Sequence, residues 1–311
     1  IPILKGIMSA NYVMSFYRWN LLMILFFVLG ISILSQVLRQ KEFDQKTILT
    51  SAIGSILFLP VFVSLQNGQD TAILVLGTAI WVFGLHKNRY MLAGIGLSLI
   101  TVRPHLALIL ALPMLFRYKR VFFGFILGSG VLALFSITLL GLNGTKEFID
   151  IIFLTAGGNW YGTHQEAMLN LIGLLMRTLP FEGVIIRLIG WIGYGIAIVA
   201  LCILWSRKTG LHSGLIGLTV TIAVLAVPHL HFHDLSLLLI PIYELIRSSI
   251  EYKHPAKEIA VLLPIAISLL LLASNAAPVL QYTVPYIVML GLAGYPYYLR
   301  DKSPLTTPHP T

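Results

Sequence analysis

Apolar runs of about 20 residues or somewhat fewer, several of them closed by a short basic cluster, recur from one end of this chain to the other. Runs of this length without strand-like alternation leave few solutions. Inside hydrocarbon every backbone polar group needs an internal partner, and a helix supplies one for each residue. The expected fold class is therefore all-α, a polytopic transmembrane helical bundle. Composition agrees: of 311 residues 57% are hydrophobic and 11% charged, with a mean hydropathy of +0.88, far from a soluble domain. The net charge of +9 would by itself suit nucleic acid. Most of the lysines and arginines, however, stand in clusters between the apolar runs, the pattern of cytoplasmic loops. Membrane lipids, and no nucleic acid, are the expected surroundings.

Taken in order, the first span is expected over residues 19–38, closed by Arg39-Gln40-Lys41. A second covers 48–64. The polar knot Gln66-Asn67-Gly68-Gln69-Asp70 separates it from a third at 71–85, which ends in His86-Lys87-Asn88-Arg89. Residues 91–116 have basic flanks on both sides yet are too few for two full spans. Proline disfavours helical geometry in the residue before it. Val102-Arg103-Pro104-His105 is thus read as the buried tip of two short helices folded back on each other, beside a cavity. A full span is expected at 121–142, then a long polar interval over 143–183 with an amphipathic helix at 167–179. Further spans are expected at 184–205, 213–227, 235–246, 259–273 and 284–299. Residues 1–302 read as one integral membrane domain and 303–311 as a disordered tail. Cys202 is the only cysteine, so no intrachain disulfide forms. The chain opens on Ile1 with no charged-then-apolar leader, from which an upstream portion is expected.

In this orientation three polar knots face outward. Pro228-His229-Leu230-His231-Phe232-His233-Asp234 sits between two apolar segments, where ionisable groups are costly unless they are used. His233 beside Asp234 offers a general base with a carboxylate partner. Alternation of His229, His231 and His233 would also put three imidazoles on one side of an extended backbone, a divalent-metal arrangement with Asp234 as a further ligand. Arg103 is a planar bidentate donor suited to a phosphate, or else one half of an ion pair with Glu244 or Asp70. Gln69 and Asp70 carry the groups that hold sugar hydroxyls, although Asp70 would also serve as a helix cap. His164 and Glu166 raise the same choice, with Trp160 and Tyr161 nearby.

Several of these stretches, in this order, resemble glycosyltransferase family 87. They are Gly68-Gln69 at the head of a span, Ala93-Gly94-Ile95-Gly96-Leu97 leading to Arg103-Pro104, the basic cluster Arg117 to Arg120, Asn170 after His164-Gln165, and the stretch from Pro228 to Asp234. The likeness covers roughly residues 55–245. It implies a GT-C-like fold and a mannosyltransferase that uses a polyprenyl-phosphate sugar as donor and a lipid or glycan acceptor, with no cofactor and no metal. Joined to the reading of the residues, the resemblance gives the expectation of His233 and Asp234 as catalytic residues, and Arg103, Asp70, Gln69, His164 and Glu166 as substrate-binding residues. The family's acidic residue in the first outer loop has no counterpart before Arg18, so either it is expected upstream of Ile1 or His233 or Asp234 takes its role. The implied location is a bacterial plasma membrane with the site facing outside. A transporter or lipid flippase, using Arg103 and the His233/Asp234 cluster for anions or protons, is the alternative.

Overall fold

A computed structural model describes residues 9–39, 44–156, 164–207, 213–251 and 257–301. These are helical almost throughout, and no strand occurs among them. Among the described residues four helical stretches are long and apolar enough to cross a membrane: α1 (Tyr12–Arg39), the pair α2 (Gln45–Ile56) and α3 (Leu59–Gln66), α7 (Lys119–Ala156) and α9 (Gly183–Arg207). Phe123, Ile126, Leu127 and Leu134 of α7 stand exposed. In water so much bare apolar surface would drive association, whereas in lipid it is the expected outer face of a bundle. The fold is an all-α polytopic membrane bundle, as the apolar runs require.

The interior is built from shorter helices, and glycine sets how closely they meet. α4 (Thr71–His86) and α5 (Tyr90–Leu99) run antiparallel through a turn at Asn88, whose φ is 56°. A Cβ on Gly77 would fall 2.7 Å from the Gly96 carbonyl, and one on Gly84 2.6 Å from the Ala93 nitrogen. On the opposite face of α5, Gly94 lies against the backbone of α7 at Val121, Gly124 and Phe125. Two positions apart on a helix point to opposite sides. Gly94 and Gly96 therefore let α5 sit between α7 and α4 at backbone contact, the small-residue packing of membrane helices.

A single turn of 3-10 helix, Ile100–Val102, follows α5, and Arg103 then turns extended (φ −122°, ψ 81°) before Pro104 opens α6 (Pro104–Arg117). The two helices fold back as expected. Tyr118, just past α6, brings its ring within 5.3 Å of Tyr90, where α5 begins. α9 shows how deep the tip lies. Tyr194 donates to the His105 carbonyl at 2.6 Å, and Tyr194 is near the middle of the 25-residue α9. At 1.5 Å per residue, the tip lies roughly 16 Å below the Gly183 end of that helix. The rest of the core is α10 (Ser213–Ala226), α11 (Leu239–Glu251), α12 (Lys257–Ser274) and α13 (Pro278–Asp301), with the short α8 (Leu171–Thr178) above it.

Four expectations need correction. The first helix begins at Tyr12 rather than Trp19. The span at 48–64 is broken between α2 and α3, where Pro60 falls in the first turn of α3; the Leu59 N–H released there donates to Ser268 Oγ at 2.9 Å. The polar interval also starts too early, because α7 continues through 143–156 after one non-helical residue, Gly141 (φ 69°, ψ 175°). The expected helix at 167–179 is shorter, Leu171–Thr178, opened by Asn170, whose Oδ1 accepts from the Gly173 N–H at 2.9 Å. Trp160, Tyr161 and the tail at 303–311 lie outside the described residues.

Candidate active site

Four segments converge beside the re-entrant tip. The turn at 67–70 is fixed by Gly68 (φ 61°), whose carbonyl accepts from Trp19 Nε1 at 2.9 Å. Asn170 ties down the segment before the histidines, with Nδ2 donating to the Val227 carbonyl at 2.8 Å. The Leu169 N–H donates to the Leu230 carbonyl at 3.1 Å. From His231 the chain enters a 3-10 helix, Phe232–Leu238, that leads into α11. Arg103 thereby comes to face Asp70 and Asp234.

Arg103 Nη2 donates to Asp70 Oδ1 at 3.1 Å and lies 3.9 Å from Asp234 Oδ1. The ion pair is with Asp70, and Glu244 is elsewhere, bonded to His86 at the far end of α4. Asp70 makes no capping hydrogen bond to α4, so its carboxylate serves Arg103 instead. Asp234 is 3% exposed and fully engaged. Its Oδ1 accepts from Thr71 Oγ1 at 3.4 Å and its Oδ2 from the His231 N–H at 3.0 Å. Burial alone would raise this carboxyl, but Arg103 first, then His233, hold it below the usual carboxylate range.

His233 Nε2 sits 3.7 Å from Asp234 Oδ1, an ion-pair distance beyond a hydrogen bond, and is buried without a hydrogen-bond partner. Burial pushes its imidazole down, against the upward pull of Asp234. His231 is lowered by burial in the same way. His229 is pushed down to about 3, by burial first and then by His231 and Arg103. At neutral pH the three loop imidazoles are therefore uncharged acceptors. Their rings follow one another at 4.8 and 5.8 Å. Among the described residues no three His, Cys, Asp or Glu side chains converge in a metal-binding group.

Two cavities flank this cluster. One, of about 420 Å³, is bounded by Arg103, His105 and His229 on one side and by Phe148, Ile151 and Trp191 on the other. The second, of about 400 Å³, is lined by Asn67, Gln69, His231, His233 and two residues of α13, Gln281 and Tyr282. Of the residues singled out in the sequence, Arg103, Asp70, His233 and Asp234 meet directly, and Gln69 lines the second cavity. His164 and Glu166 pair with each other at 3.5 Å, mostly exposed, and line neither cavity. Sequence reading passed over Thr71 and the wall at Phe148, Ile151, Ile152 and Thr155. The wall carried a signal, since its residues fall at i, i+3, i+4 and i+7 of an amphipathic helix.

No curated protein and no solved structure matches the chain. The model of glycosyltransferase family 87 matches residues 4–228, well over half of it, and takes in Asp70, Arg103 and Asn170. The match favours the enzyme over the transporter or flippase. On that match, the chain belongs to glycosyltransferase family 87 and is a membrane glycosyltransferase.

Proposed function

We propose that the chain moves a hexose, mannose foremost, from a polyprenyl-phosphate sugar to an acceptor hydroxyl, with inversion, on the extracytoplasmic side of the membrane. One observation carries this reading: Arg103, Asp70, His233 and Asp234 stand between two cavities of opposite character. The cavity beside Arg103 has a wall of Phe148, Ile151, Ile152 and Trp191, which suits a lipid chain, with its phosphate at the guanidinium. The other is lined by amides and imidazoles, which suit hydroxyls. Donor and acceptor arriving from opposite sides place nucleophile and leaving group in line across the anomeric carbon, hence inversion. Arg39, Lys87, Arg89, Arg117, Lys119, Arg120 and Arg207 flank the helix ends remote from the cluster, and the positive-inside rule puts those ends in the cytoplasm.

In the transfer step neutral His233 takes the proton of the acceptor hydroxyl. The oxygen attacks the anomeric carbon, and the bond from that carbon to the phosphate oxygen breaks. Its electron pair leaves on polyprenyl phosphate, whose added charge Arg103 stabilises. Asp234 stabilises the imidazolium formed on His233. His229 lines the donor cavity and gains a proton more readily when an anion lies beside it.

The test is transfer of radiolabelled mannose from polyprenyl-phosphate-mannose by membranes containing the chain. Arg103→Ala and His233→Ala are each expected to lower the rate by on the order of 10²–10⁴-fold at unchanged protein level. Normal transfer by Arg103→Ala, or no transfer by the unaltered chain from a panel of polyprenyl-phosphate sugars, would overturn the reading.

A further inference from the structure

The cavity on the side of His231 and His233 has a wall that the transfer chemistry leaves unused. Gln281 and Tyr282 belong to α13, beyond residue 228 where the family match stops. They face Asn67 and Gln69 on the turn before α4 and His231 and His233 on the histidine segment. Three primary amides supply donors and acceptors in both directions, and imidazoles and a phenol add more. None of the ten lining residues is Asp, Glu, Lys or Arg. The remaining four, Val63, Ala167, Leu169 and Phe232, are apolar, so the lining sets hydrogen-bonding groups beside apolar surface without a fixed charge. It fits a neutral ligand with many hydroxyls and some apolar C–H surface, which describes a sugar ring. At about 400 Å³ the cavity falls in the range of small-molecule sites.

Arg177 of α8 holds that wall in place. Nη1 donates to the carbonyls of Glu166 and, at 2.9 Å, of Met168, on the segment that brings Ala167 and Leu169 to the cavity. Nη2 donates to Tyr286 Oη at 2.9 Å, and Tyr286 Oη donates in turn to the Asn170 carbonyl at 2.8 Å. The guanidinium also lies 4.1 Å from the centroid of the Tyr282 ring, a cation–π contact. One side chain thus clamps α13 to the 166–170 segment, and holds Tyr282, which lines the cavity.

We propose that Gln281 and Tyr282 form the subsite for the terminal sugar of the acceptor, and that Arg177 is a positioning residue that fixes the Tyr282 ring. The acceptor is accordingly a saccharide, recognised by the sugar that carries the attacking hydroxyl. This rests on the glycosyl-transfer reading of the same site. Tyr282 offers the ring against which the C–H face of that sugar packs, Gln281 bonds its hydroxyls, and the attacking oxygen projects toward His233.

The experiment is saturation-transfer NMR on the full purified chain, with free mannotriose, glucotriose and galactotriose as probes. Transfer kinetics from polyprenyl-phosphate-mannose to the bound trisaccharide follow. Binding of one trisaccharide is expected, about tenfold weaker in Tyr282→Leu and Gln281→Ala, and retained in Tyr282→Phe and Arg103→Ala. Arg177→Lys keeps the charge but not the planar fork, and is expected to raise the acceptor KM about tenfold with little change in kcat. Gln281 is exposed, so Gln281→Ala decides the matter should Tyr282→Leu fail to fold. No binding of any trisaccharide, or equal binding by Gln281→Ala and the unaltered chain, would overturn the subsite. Saccharide binding with normal transfer by Arg103→Ala would instead overturn the transfer mechanism and leave the subsite standing.

Discussion

A single guanidinium holds the site together by answering two carboxylates. Arg103 is 3.1 Å from Asp70 and 3.9 Å from Asp234, and Asp234 stands 3.7 Å from His233. The identity of these residues was readable in the sequence, because ionisable groups beside apolar runs are rare. Their partners were not: Asp70 and Glu244 were equal choices for Arg103 until the fold carried Glu244 to the other end of α4. The arrangement has a pH signature. Burial lowers the His233 imidazole and Asp234 raises it, with the net shift downward from 6.5. A base must be deprotonated to act, so the rate of transfer should stay level as pH falls to about 6.5 and decline only below that. Asp234→Asn removes the group that pulls the imidazole up. Its acid limb should move to still lower pH, while the plateau rate falls on the order of 10²–10⁴-fold. A pH–rate profile of both proteins checks this; an acid limb that moves upward in Asp234→Asn would mean that the pair does not act together.

At the scale of elements, the sequence disclosed which segments are helices better than where they break. The fold-back at Arg103-Pro104 was legible because proline and paired basic flanks both marked it. The passage after Gly141 was not, because Asn143, Gly144, Lys146 and Glu147 read as a loop, although Phe148, Ile151, Ile152 and Thr155 keep a helical stripe. Nor does a hydrophobic pattern reveal which glycines are contacts, since that depends on the neighbour. Here Gly94 and Gly96 separate cleanly from Gly130 and Gly195, around which a Cβ would meet nothing within 4 Å. Gly94→Ala and Gly96→Ala force backbone against backbone and should each cost roughly 1–3 kcal/mol or more. Gly130→Ala should be neutral or stabilising, because alanine is the better helix former. Thermal melts in detergent of the three variants check this order, and a melt of Gly96→Ala no lower than that of Gly130→Ala would show the α4–α5 contact to be looser than described.

Over the whole molecule, the site depends on a contact at the opposite end of the bundle. α4 is tied at both ends to the segment running from the histidines into α11. Beside Asp70, the Thr71 hydroxyl bonds Asp234 at 3.4 Å, and at the far end His86 Nε2 meets Glu244 Oε1 at 2.8 Å with both side chains almost wholly buried. Glu244 Oε2 has no hydrogen-bond partner, so its carboxyl depends on the imidazole. The two ties together set how α4 and α11 are turned toward each other, and therefore how Asp70 and Asp234 are presented to Arg103. Removing one partner of a buried pair strands the other, at a cost of about 3–5 kcal/mol, whereas replacing both with apolar groups is far cheaper. His86→Leu should accordingly lower the melting temperature and slow transfer, although it lies remote from either cavity. The double variant His86→Leu/Glu244→Leu should recover much of the stability and, if the remote pair acts only by fixing α4 against α11, much of the rate. Melting and transfer assays on both single variants and the double check this as a cycle; losses that simply add would show that His86 and Glu244 act separately, and that α4 is held by its packing alone.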